Sequence, residues 1–97
     1  MTRVVFAEEV GEDFDRILEH LYRHDASDPP GRIAEILAAI EVLRSSPLIG
    51  RPTNVGQREL IIGKDSHGYV ALYRHVPDID AGFVLAIRSQ REAGYAR

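Results

Sequence analysis

The chain has no cysteine, so disulfides and thiolate zinc sites are both excluded. No apolar run approaches the roughly 18 residues of a membrane-spanning helix. The apolar opening Val4-Val-Phe-Ala7 is cut short by Glu8 and Glu9, leaving no signal-peptide hydrophobic segment, and a cytoplasmic protein is expected. Internal repeats, low-complexity segments and linkers are lacking too. Gly50-Arg-Pro-Thr-Asn-Val-Gly56 has glycines and an arginine, but no Gly-Lys-Ser/Thr and no preceding strand, so it is not a phosphate loop. His20 and His24 stand four apart as zinc ligands do. The segment His20-Leu-Tyr-Arg-His24 lacks the glutamate of a zinc-protease helix, however, and no third ligand is near. The expectation is a surface histidine pair, no metal and no cofactor.

What is present suits one soluble domain with one core. The chain has 97 residues, of which 44% are apolar and 28% charged. Its net charge of −3 hides an asymmetry. Residues 1–46 carry five Lys/Arg against ten Asp/Glu, and residues 47–97 carry seven against five. A mildly basic half on an acidic half hints at an anionic partner. It stays far from the pI above about 9 of a dedicated nucleic-acid binder.

Thr2-Arg-Val-Val-Phe-Ala7 is short and β-branched and reads as a strand. Glu8 and Glu9 then put negative charge where a helix N-terminus favours it. Val10, Phe14, Ile17, Leu18, Leu21 and Tyr22 form the apolar stripe of a helix that stops near His24. The acids Glu8, Glu9, Glu12, Asp13 and Asp15 read as a solvated charge run. Asp25-Ala-Ser-Asp-Pro-Pro30 is a turn, with Ser27 or Asp28 placed to cap a second helix. That helix has the stripe Ile33, Ile36, Leu37, Ile40 and Leu43, and Ser45-Ser-Pro47 ends it. The short connection predicts an antiparallel helical hairpin. Residues 47–56 read as a loop. Arg58–Ile62 reads as a strand, 63–68 as a hairpin turn, Tyr69–Val76 as a strand, 77–82 as a turn and Phe83–Arg88 as the last strand.

The order β-α-α-β-β-β predicts an α+β fold for a single domain over residues 1–97. An N-terminal strand and a helical hairpin precede a three-strand antiparallel meander and a short tail, and the hairpin packs on one sheet face. In Tyr69–Val76, one face carries Tyr69, Ala71, Tyr73 and His75; the other carries Val70, Leu72, Arg74 and Val76. Both are largely apolar. Helices on one side alone would leave an apolar face in water, which on a small domain implies a covering partner.

The strands and tail also supply Arg58, Arg74, Arg88, Arg91, His75 and Tyr95. Arginine forks hold phosphates and stabilise the charge of phosphoryl transfer, and a nearby His or Tyr can serve as acid or base. Metal-free RNA cleavage needs only such parts, because the 2′-OH is the nucleophile. Arginines at strand ends equally suit a solvent-facing docking edge. Residue types alone leave both readings open.

The element order, the loop Ser46-Pro-Leu-Ile-Gly-Arg-Pro52, the strand Gly68-Tyr-Val-Ala-Leu-Tyr-Arg74 and the ending Ala86-Ile-Arg-Ser-Gln-Arg-Glu-Ala-Gly-Tyr95 together resemble the RelE/ParE toxin superfamily over essentially the whole chain. The resemblance implies the toxin of a bacterial type II toxin–antitoxin pair. It also implies a cognate antitoxin whose C-terminal segment wraps the toxin, contact with DNA only through that antitoxin, and no membrane. The superfamily has two activities on one fold. RelE-like toxins cleave mRNA in the ribosomal A site, whereas ParE-like toxins poison DNA gyrase and are not enzymes.

The nuclease branch carries a basic residue straight after the Gly-Tyr of this strand, where the chain has Val70. It also places lysines along the preceding strand, where the chain has Glu59, Leu60, Ile61 and Ile62, with only Lys64 in the turn. The tail keeps Arg88, Arg91 and Tyr95. The expectation is therefore a ParE-like gyrase inhibitor, with a ribosome-dependent endoribonuclease as the alternative. In the first case Arg58, Arg74, Arg88, Arg91 and Tyr95 form a target- or antitoxin-contacting edge, and Ile33, Leu37 and Ile40 contribute to the antitoxin groove. In the second, Arg88, Arg91 and Tyr95 handle phosphate and protons, assisted by Arg74 and His75.

Overall fold

The elements run β1 (Arg3–Phe6), α1 (Val10–Arg23), α2 (Pro29–Ile40), β2 (Arg51–Pro52), β3 (Arg58–Ile62), β4 (Tyr69–Val76) and β5 (Ala81–Ser89). They are seen in a computed structural model that describes residues 1–53, 55–63 and 68–90. This is the expected α+β order with one addition. The loop at 47–56 contains β2, which pairs antiparallel with β3 through Arg51↔Glu59 and Pro52↔Arg58. A strand of two residues has no periodicity to read, and a proline in it is tolerated at a sheet edge.

The five strands form one sheet in the order β1-β5-β4-β3-β2. The antiparallel meander β3-β4-β5 is as expected. β1 lies parallel beside β5, and this pairing moves the start of β5 forward. Ala81 and Gly82, read from sequence as turn, pair with Arg3 and Val4. The turn shrinks to a 3-10 turn at Pro77–Ile79, followed by Asp80 in the left-handed region at φ 47°. Asp80 Oδ1 accepts the Thr2 hydroxyl at 2.6 Å, tying this turn to the N-terminus.

α1 and α2 form the expected hairpin. Asp28 caps α2, its carboxylate accepting the Gly31 N–H at 3.2 Å. The helical run ends in a 3-10 turn, Glu41–Arg44, which brings Leu43 into the core. Val10, Ile17 and Leu21 of α1, with Ile36, Ile40 and Leu43, meet Leu60, Ile62, Tyr69, Ala71, Tyr73, Val84 and Ile87 of the sheet. Each Val, Leu or Ile among them contributes about 1.5–3 kcal/mol on burial. Tyr22, assigned to the α1 stripe from its spacing, is 58% exposed.

Val84 and Ile87 both face the core although they are three apart. A bulge explains this: Tyr73 pairs with Val84 but Leu72 pairs with Ala86, so Leu85 is an extra residue in β5. Beyond Val84, β5 also outlasts its pairing with β1. The helix supplies what the strand does not. Asp13 Oδ2 accepts the Ile87 N–H at 2.9 Å, and Arg16 donates to the Ile87 carbonyl at 3.1 Å. Arg16 and Asp13 are themselves paired at 3.0 Å. Asp13 is 2% exposed, so it does not belong to the solvated acidic run in which the sequence placed it. Its spacing from Val10 and Ile17 puts it in phase with the apolar stripe, and that was the available signal.

Candidate functional site

The side chains expected to act at the sheet divide between a braced loop and a groove. Tyr73, with no exposed surface, accepts the Gly50 N–H at 2.9 Å and donates to the Pro47 carbonyl at 2.8 Å. Burial raises the phenol pKa above its ordinary 10.0, an effect opposed by the Gly50 hydrogen bond and the Arg58 charge. The group therefore stays protonated, and its proton is committed to a backbone carbonyl. Arg58 donates to the carbonyls of Leu48 at 3.0 Å and Gly50 at 2.7 Å. Arg74 donates to the Val55 carbonyl at 3.3 Å. Gly50 has no room for a side chain, since a Cβ there would lie 2.7 Å from the Tyr73 ring and 2.9 Å from the Glu59 carbonyl. So braced, the loop holds Leu48 and Ile49 out in solvent, each more than half exposed.

The groove lies on the sheet face opposite the helices. β2 places Arg51 across from Glu59 of β3, and β4 places Val70 across from Arg88 of β5. Arg51 Nε meets Glu59 Oε1 at 3.1 Å, while Arg88 stands 3.9 Å from Glu59 Oε2. Arg51, Ile61, Val70, Arg88 and Gln90 line a shallow groove of about 220 Å³. Val70 is 2% exposed and forms an apolar part of the lining. Gln90 is fixed by the bond from its backbone N–H to the Gly68 carbonyl, 3.0 Å. Its side chain packs so tightly on Gly68 that a Cβ there would lie 2.1 Å from Gln90 Nε2. Two guanidinium groups thus meet around one carboxylate. Sequence reasoning named Arg88 but missed Arg51 and Glu59. Glu59 was visible as the lone acid in the strand Arg58–Ile62, but its partners depend on β2, which was not foreseen.

Arg88 pairs with Val70 and His75 with Gly82, so His75 lies five positions, about 17 Å, along β4 from the groove. Arg74 stands four positions away and braces the loop. The assembly of Arg88 with Arg74 and His75 that phosphate chemistry would need is therefore not brought together. Ile33 is half-buried and Leu37 is 40% exposed, so both have surface for a partner. Ile40 has none; it faces the sheet, which corrects its assignment to a partner groove. Arg91 and Tyr95 lie outside the described residues. His20 and His24 face each other with ring centroids 4.3 Å apart on exposed helix surface.

This architecture has a counterpart in a solved structure, a chain of the chromosomal ParDE TA system from P. aeruginosa. The TM-score is 0.74 at 19% identity, covering 92% of this chain and 96% of that one. No curated protein sequence matches the chain. Residues 4–94 match the family described as ParE toxin of type II toxin-antitoxin system, parDE. The α+β order, the braced loop and that match over nearly the full length lead to one assignment: the chain belongs to the ParE toxin family of type II toxin–antitoxin systems.

Proposed function

We propose that the chain inhibits DNA gyrase by binding it in the cytoplasm, and that a cognate antitoxin neutralises the toxin by wrapping it and so provides its only route to DNA. The observation that carries the gyrase reading is Val70. This position follows Gly68-Tyr69, where the nuclease branch needs a cation, and here an apolar side chain is buried in the groove lining. The scattering of Arg74 and His75 away from Arg88 supports the same reading. A binding toxin needs shape and exposed anchors rather than an acid and a base, and Leu48 and Ile49 are anchors held in a fixed geometry. Ile33 and Leu37 on α2 offer surface to the antitoxin.

A supercoiling assay with purified gyrase tests the proposal. Micromolar toxin is expected to block supercoiling and the antitoxin complex to relieve the block. Primer extension on translated mRNA after induction is expected to show no codon-register cuts. Such cuts, with supercoiling unaffected, would overturn the reading in favour of ribosome-dependent cleavage.

A further inference from the structure

We propose that His20 and His24 form a two-imidazole site for one transition-metal ion, Cu(II), Ni(II) or Zn(II), which clamps the last turn of α1. The inference goes beyond the toxin reading and does not depend on it. The two residues are four apart, and the His24 N–H donates to the His20 carbonyl at 3.1 Å. The backbone bond that closes this turn therefore also sets both side chains on one face. Their ring centroids lie 4.3 Å apart, with the planes tilted by 44°. Two nitrogens bound to one tetrahedral zinc at about 2.0–2.1 Å stand about 3.4 Å from each other. Rings this close need only turn about their side-chain bonds to share an ion, and both residues are exposed, so turning disturbs no packing. Among the described residues neither ring makes a hydrogen bond or an ion pair. Each neutral imidazole thus keeps a nitrogen lone pair for a metal.

The surroundings favour a cation. Residues 1–46 carry ten Asp/Glu against five Lys/Arg, and a negative field raises the local concentration of cations. Arg23, in the same turn, is paired with Glu19, so its charge is matched. Imidazole selects copper, nickel and zinc, whereas magnesium and calcium take oxygen ligands. Among the described residues no group of three or more His, Cys, Asp or Glu could hold a metal ion. The described residues thus supply two ligands and water completes the shell, which makes the ion exchangeable rather than a permanent part of the fold. Its place gives it a structural effect. His24 is the C-cap of α1, and the connection to α2 continues from it through the Asp25 N–H to the Tyr22 carbonyl and the Ala26 N–H to the Leu21 carbonyl. Helix ends fray first, and an ion bridging His20 to His24 ties this end to the turn before it.

The test titrates the full chain, free of any polyhistidine tag, with zinc chloride while the ring-nitrogen NMR signals of its histidines are followed. The His20 and His24 signals are expected to move together and to saturate at one ion per chain, with His75 staying in place. His20→Ala and His24→Ala should each bind zinc at least about tenfold more weakly, since even an outer partner of a metal ligand is worth about that much. Copper should displace the zinc and magnesium should not. Thermal melts give a second readout: excess zinc should raise the Tm of the wild-type chain and leave both variants where they were, because an ion that binds the folded state stabilises it. In EDTA the three chains should melt alike, since both rings are exposed, and if one variant fails to fold the other decides. Equal zinc affinity in all three chains overturns the proposal, as does movement of one ring alone. A zinc-dependent dimer with one ion between two chains overturns it too, as does failure of copper to displace the zinc.

Discussion

Two neighbouring regions of the same sheet edge spend arginine differently. At the loop, Arg58 and Arg74 donate to main-chain carbonyls of Leu48, Gly50 and Val55, beside a tyrosine with no exposed surface. At the groove, Arg51 and Arg88 face one carboxylate, and the Arg51 side chain is 65% exposed. Arginines that donate to main-chain carbonyls fix the path of the loop, which the buried Tyr73 anchors from beneath. Arginines that meet at a carboxylate hold side chains together, and there Arg88 and Glu59 are mostly buried while Arg51 is largely solvated. The loop is therefore read as framework for what it displays.

The sharpest way to break this comparison is to remove the brace. Tyr73→Ala deletes a fully buried aromatic and both loop bonds, and is expected to destabilise the fold by about 3–5 kcal/mol in urea titration. A smaller loss would mean that the loop is not part of the cooperative fold. Gly50→Ala pushes a methyl group into the Tyr73 ring and the Glu59 carbonyl, and is expected to cost about 1–3 kcal/mol by the same measurement. Gly11 is the control: a Cβ there meets nothing, so Gly11→Ala should be neutral or mildly stabilising.

These two sites show what the sequence could reveal. Helical stripes and β-branched runs are local periodicities, so both helices and the strands of the meander could be read directly. Pairings between distant residues leave no such trace. The parallel contact of Arg3–Phe6 with β5, the bulge at Leu85 and the two-residue β2 had to be seen. The candidate site followed the same division. Arg88 was visible as an arginine ending a strand, whereas Arg51 and Glu59 acquire meaning only once β2 and β3 are paired. Arg58 was nominated as an outward-facing cation because its partners, the carbonyls of Leu48 and Gly50, are main-chain groups with no sequence signature.

A gentler change sharpens the comparison. Tyr73→Phe keeps the ring but leaves the buried Gly50 N–H without its acceptor, which is expected to cost about 1–2 kcal/mol near neutral pH. Tyr73 also sets an alkaline limit. Its folded pKa lies above the ordinary 10.0, so in the window above 10.0 the unfolded chain releases this proton first. The native state then holds the extra proton, and stability falls as pH rises through that window. Below it both states are protonated and Tyr73 adds no slope. Urea titrations at pH 9 to 11 should show the wild-type decline, and Tyr73→Phe should lack the part due to this residue.

The smallest expected effect on stability is at the groove. Glu59→Gln removes a carboxylate whose nearer partner, Arg51, is largely solvated, so the Arg51 pair contributes at most about 1 kcal/mol. Raising ionic strength should shrink that contribution further, because the exposed partner is screened. A loss in urea titration as large as that of Tyr73→Ala would show instead that Glu59 is framework like Tyr73. Loop and groove would then be one rigid unit, and the contrast between them would disappear.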